Sequence, residues 1–115
     1  MKITYQSREL TTAELYMLTM SPEIGKMSEV SDQSIIEIDS WVIYTDVDSN
    51  GAEQEILSIK DIFGEVSATN SPTFIREFKR MVQLFETNNE KVEKIKLVKG
   101  TSKAGRQFIT CSYAA

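Results

Sequence analysis

Histidine is absent from the sequence, cysteine occurs once, and no apolar run reaches a bilayer-spanning length, which is about 18 residues. Each absence closes off a class of chemistry. The lone thiol, Cys111, cannot form an internal disulfide, and one cysteine without histidine cannot build a structural zinc site. With no imidazole to activate it, Cys111 reads as a small core residue. Glu37 and Asp39 share one face of a strand pattern, but nothing marks them as an acid/base pair, and solvated strand positions are the plainer reading. No catalytic constellation emerges, so the chain is expected not to be an enzyme and to use no cofactor or metal. The opening residues, MKITYQSREL, lack the apolar segment of a signal peptide. Together with the unpaired cysteine, this points to the cytoplasm and away from a membrane.

What is present is a folded composition. The 115 residues are 41% hydrophobic and 26% charged, which suits one domain with a single core. The net charge of −4 is unevenly spread. Residues 94–115 hold Lys94, Lys96, Lys99, Lys103 and Arg106 and no acid, a local +5, so the first 93 residues carry −9. Phosphates respond to a local field rather than to the sum. A solvated strand pair with lysines on its wet face is the plainer account.

The chain divides into an N-terminal helical segment over 1–30 and a β-rich body over 34–113. In LTTAELYMLTM, Thr11 and Glu14 form a capping box, and Leu10 with Leu15 a hydrophobic staple. The helix ends at Ser21-Pro22, and residues 23–34 are polar and loop-like. SIIEIDSWVIYTDV, 34–47, alternates as a long strand, with Ile36, Ile38, Val42 and Tyr44 on one face and Glu37, Asp39, Trp41, Ile43 and Thr45 on the other. Asn50-Gly51 suits a hairpin turn, residues 53–63 a return strand, and Gly64 a tight turn into EVSAT. Ser71 and Pro72 then start an amphipathic helix with apolar residues at 74, 75, 78, 81, 82 and 85. Asn88-Asn89 ends it, and two strands follow at 94–99 and 106–113.

The order β-β-β-α-β-β after a short N-terminal helix is that of the OB-fold, a mostly β, five-stranded Greek-key barrel with a helix between strands three and four. Such barrels bind oligonucleotides on the face of strands two and three and in the loops after strands one and four. The second of those loops is here KGTSKAGR.

Two motifs are weighed and set aside. Gly100-Thr-Ser-Lys-Ala-Gly105 has Arg106 and Gln107 where a nucleotide-hydrolysing loop needs Lys and Ser/Thr, and no helix follows. DVDSNG resembles the start of a calcium loop, but Leu57 stands where the bidentate glutamate belongs. A hairpin turn is the better account of both.

Basic side chains interleaved with aromatics suit single-stranded nucleic acid, where cations track the backbone and rings stack on bases. The candidates are Lys60, Lys94, Lys96, Lys99, Lys103 and Arg106, with Trp41, Tyr44, Phe63, Phe108 and Tyr113. Each aromatic has the core as its plainer place, and Phe74, Phe78 and Phe85 belong there by helical spacing, whereas Trp41 and Tyr113 lean towards the surface because their in-phase strand neighbours include polar residues. Trp41 has two readings. It is in phase with polar residues and points outward to stack on a base, or it joins Ile43 in a second buried surface beneath the N-terminal helix.

Residues 33–113, above all GEVSATNSPTF and VKGTSKAGRQF, resemble small phage-type single-stranded DNA-binding proteins of Gram-positive hosts. The resemblance implies an OB-like fold, non-catalytic, sequence-independent coating of displaced single-stranded DNA, and a role in phage or mobile-element replication beside replication proteins. Lys103, Arg106 and the strand lysines match the basic strand–turn–strand end of that group. The alternative is an acidic protein-interaction module without nucleic-acid binding, such as a phage regulator or host-inhibiting protein. The N-terminal helix, apolar on several sides, could pack on its own barrel or on a second subunit as a homo-oligomer.

Overall fold

The computed structural model describes residues 1–115. Its elements run β1 (Lys2–Gln6), α1 (Thr12–Thr19), β2 (Gly25–Lys26), β3 (Ile35–Val47), β4 (Glu53–Asp61), β5 (Val66–Thr69), α2 (Pro72–Thr87), β6 (Lys94–Thr101) and β7 (Gln107–Tyr113), with a 3₁₀ turn at Met27–Glu29. The seven strands form one curled, half-barrel sheet in the order β2-β5-β4-β3-β6-β7, with β1 paired to β3 off that path. The fold is mostly β with two helices. The five-strand count needs correction, because β1 and β2 lie inside the segment read as purely helical. Lys2–Gln6 alternates polar and apolar residues, the ordinary sign of a half-buried strand. The stretch 23–34 is likewise more than a loop, since Met27 is fully buried in the main core.

The expected elements from residue 34 onwards form, each within two residues of its anticipated bounds. Asp48 Oδ1 accepts the amides of Asn50 and Ala52 at 2.8 and 3.0 Å, closing the β3–β4 turn. Ser71 caps α2, its hydroxyl accepting from the Phe74 amide, with Pro72 at the first turn. Phe74, Ile75, Phe78 and Val82 face the sheet. Thr11 and Glu14 make the reciprocal cap of α1, and Leu10 and Leu15 pack in one cluster beneath it.

A bulge in β3 organises the two cores. Ile38 pairs with Asp61, but Ser40 pairs with Lys60, so Asp39 is an extra residue in the ladder. Side chains alternate along a strand, so one inserted residue exchanges the faces beyond it. Ile36 and Ile38 before the bulge, and Trp41 and Ile43 after it, therefore pack in the same core against α2. Val42 and Tyr44 turn to the opposite face, under Leu10, Leu15 and Leu18. The single-face grouping of Ile36, Ile38, Val42 and Tyr44 is thus corrected, because unbroken alternation does not cross the bulge. The strand also bends here. Its first residues, Ile35–Glu37, pair with β6, while Val42–Thr45 pair with β1 along the same edge.

Candidate nucleic-acid interface

The β6–β7 hairpin is built from alternating residues whose inner set, Ile95, Leu97, Ile109 and Cys111, lies in the main core. Its tip is a short turn in which the Gly105 amide donates to the Ser102 carbonyl at 2.9 Å and the Arg106 amide to the Ser102 hydroxyl at 3.2 Å. Gly105 sits at φ +81°, a conformation costly for residues with a Cβ. Lys103 and Arg106 are exposed on this tip and make no ion pair.

Below the tip a cleft of ≈ 750 Å³ separates the hairpin from the far end of the sheet. Phe108 and Lys99 line it on one side and Lys26, Gln54, Ile56 and Asn70 on the other. Phe108 pairs with Gly100 across the ladder. Its ring lies so close over that glycine that a Cβ there would come within 2.6 Å of Cζ. The glycine is therefore what lets the ring rest flat on the strand.

The basic residues divide by what they already touch. Lys94 Nζ stands 3.9 Å from a Glu37 oxygen. Lys99 donates from Nζ to the Ser28 carbonyl at 2.9 Å, and its amide donates to Asp32 Oδ1 at 2.8 Å. That amide is the main reason the Asp32 carboxyl is held below its ordinary value. Lys96, Lys103 and Arg106 are free of carboxylate partners, as is the exposed Lys26 across the cleft. Lys60 pairs with Ser40 and Val66 in the middle of the sheet and does not line the cleft.

Of the aromatic candidates, Phe108 alone lines the cleft. Trp41 is 5% exposed. Its ring meets Phe78 edge-on at 5.1 Å and Tyr5 at 5.0 Å. The outward placement of Trp41 is corrected, and so is the alternative of cover by the N-terminal helix, since α2 and β1 supply its neighbours. Tyr44 is the residue buried beneath α1, and that burial, with Asp46, raises its hydroxyl pKa. Neither ring has a face for a base. Tyr113 is 51% exposed, but it lies at the end of the hairpin away from the tip, its ring 5.0 Å from that of Phe85, and does not line the cleft. Phe63, 80% exposed, caps a separate turn in which Asp61 Oδ1 accepts the amides of Phe63 and Glu65, both at 2.9 Å.

Lys26, Gln54 and Asn70 were not legible as site residues. They come together with Phe108 only because the sheet curls, and local pattern does not carry that closure. No group of three or more His, Cys, Asp or Glu could hold a metal ion, and no helix is long and apolar enough to cross a membrane. No protein-family model, characterised protein or solved structure matches the chain.

Proposed function

We propose that the chain binds single-stranded DNA along the β6–β7 hairpin and in the cleft at its base. The observation that carries the reading is Phe108, an open aromatic ring in a cleft that Lys26 also lines, below a hairpin tip that carries the unpaired Lys103 and Arg106. A flexible strand can lay its phosphates on Lys103, Arg106, Lys96 and Lys26 while turning a base onto the ring. A duplex hides its base faces in the stack and gains only the phosphate contacts. The binding is non-catalytic and lacks strong sequence preference, the behaviour suited to coating displaced strands during phage or mobile-element replication in a host cytoplasm. An OB-like barrel belongs to the same proposal. It is supported by the order β3-β4-β5-α2-β6-β7 and by the neighbour order β5-β4-β3-β6-β7.

Fluorescence anisotropy with labelled oligo-dT and with a duplex of equal length tests it. Saturable binding of oligo-dT, at least tenfold tighter than duplex, is expected from stacking worth about 1–3 kcal/mol per base. No binding of oligo-dT at low salt would overturn the proposal.

One feature favours a second reading, docking to a protein. Ile62 and Phe63 are exposed on the Asp61-braced turn, with the acidic Glu65 in the same turn and the Ile62 amide bonded to the Glu37 carbonyl. A rigid apolar tip beside acids suits a partner with a basic-rimmed pocket. Under this reading the wild type shows no saturable binding of oligo-dT, and Phe63→Ala abolishes partner capture.

A further inference from the structure

We infer that the cleft contains a subsite for a single nucleobase, formed by the open face of Phe108 and the paired side-chain amides of Gln54 and Asn70. The inference rests on the single-strand reading above and adds recognition of a base edge, a role for two residues that carry no charge.

Gly100 holds the ring in place, covering one face and leaving Phe108 38% exposed. Across the cleft, Asn70 Nδ2 donates to Gln54 Oε1 at 3.1 Å. That bond takes one lone pair of Gln54 Oε1 and one N–H of Asn70. The Gln54 Nε2 donors and the Asn70 Oδ1 acceptor have no protein partner among the hydrogen bonds of the structure. A free donor and a free acceptor, fixed by one shared bond, form a two-point polar edge. Watson–Crick and Hoogsteen edges of bases present the complementary pair, and single-stranded bases offer those edges unhindered. Turning both amides over exchanges the two roles and still leaves one donor and one acceptor free. The pair can therefore serve more than one base, which fits a modest preference rather than a strict code.

The cleft volume of ≈ 750 Å³ falls in the range of sites that enclose small molecules, about 300–1,000 Å³. Lys26 on the same side as the amides is free to take an adjoining phosphate. A phosphate alone would use Lys26 but would leave Phe108 and the amide acceptor without a function. A base uses all of them.

Anisotropy titrations with four labelled oligonucleotides of equal length and charge test the subsite: oligo-dT, oligo-dA, oligo-dC and a fully abasic strand. The wild type should bind the abasic strand at least tenfold more weakly than the best homopolymer. It should spread the three homopolymers over about three- to tenfold, because one edge contact per footprint discriminates weakly. The double variant Gln54→Ala, Asn70→Ala should collapse that spread to less than twofold while binding the abasic strand as the wild type does. Phe108→Leu, which keeps an apolar side chain over Gly100, should lower all base-containing strands towards the abasic level. Failure to bind any strand would remove the single-strand reading and this inference with it. Equal binding of abasic and base-containing strands would leave the single-strand reading and overturn the subsite. Discrimination against the abasic strand with an unchanged spread in the amide variant would overturn the role of Gln54 and Asn70.

Discussion

Trp41, the only tryptophan, lies between Tyr5 and Phe78 with 5% of its surface exposed. An indole in so dry a setting emits at short wavelength, and its emission should not change as oligo-dT is added to saturation. Quenching by DNA would place the ring in the interface and contradict its burial. Truncation to alanine should lower stability by about 3–5 kcal/mol, the range for large aromatic side chains lost from a core. Three groups nearby govern alkaline behaviour. Burial, aided by the Glu77 carboxylate, pushes the Cys111 thiol up to about 12. Desolvation and a hydrogen bond to Glu86 put the Tyr5 hydroxyl at about 12 as well, and burial raises Tyr44. In each case the folded state retains a proton that the unfolded chain releases, near pH 8.5 for a thiol and 10 for a phenol. Stability should therefore be unaffected by these groups below about pH 8.5 and fall as pH rises towards 12. Urea midpoints at pH 7, 9 and 10.5 measure this, and Cys111→Ala should flatten the earlier part of the decline. A midpoint that rises over this interval would contradict it.

At the scale of elements, the sequence was most legible where one period holds from end to end. The stripe of α2, the capping box of α1 and the Asn50-Gly51 turn are local signals, and each lies where expected. The faces of β3 were not legible. Ile36, Ile38, Val42 and Tyr44 share one parity in the sequence, yet Asp39 bulges and divides them between two cores. Nothing in IEIDSWV announces a bulge, because the choice depends on α2 and α1 competing for opposite faces. Deleting Asp39 would remove the bulge and leave an even ladder in which Ile36 and Ile38 keep the face of Trp41 and Ile43. The deletion should therefore still fold and unfold cooperatively, losing only the local bend of β3, and Asp39→Ala, which keeps the residue count, should unfold with a midpoint close to that of the wild type. A deletion variant that is insoluble or unfolds non-cooperatively would show that the bend itself is needed to join the two cores. The β6–β7 tip offers the opposite case, an element whose side chains matter little for stability. Exposed charges contribute little to folding, so Lys103→Ala with Arg106→Ala should leave the melting temperature unchanged. The same pair should weaken oligonucleotide binding uniformly across sequences. Loss of binding that appears only together with loss of folding would make the turn structural.

At the scale of the whole molecule, the +5 of residues 94–115 overstates the field available to a ligand. Lys94 faces Glu37, and Lys99 is tied to the Ser28 carbonyl beside Asp32. Lys96, Lys103 and Arg106 remain, joined across the cleft by Lys26, which the charge count along the chain assigned to the acidic part. Folding thus removes two cations from the linear cluster and returns one from a distant segment. The remaining body is acidic and repels phosphate, so contacts should be confined to these four side chains rather than spread over the surface. Each neutralised phosphate of a single strand contributes about 0.7 to the dependence of log K on log salt, so four contacts give a slope of roughly −3. Lys26→Ala alone, remote in sequence from the hairpin, should reduce the magnitude of that slope by about 0.7, as should Lys103→Ala. Lys94→Ala should change it less, since its charge is already opposed by Glu37. Anisotropy titrations of oligo-dT from 50 to about 300 mM salt measure all three slopes. An affinity independent of salt would show that phosphate contact is not the source of binding, and a Lys26→Ala slope equal to the wild type would exclude that side of the cleft.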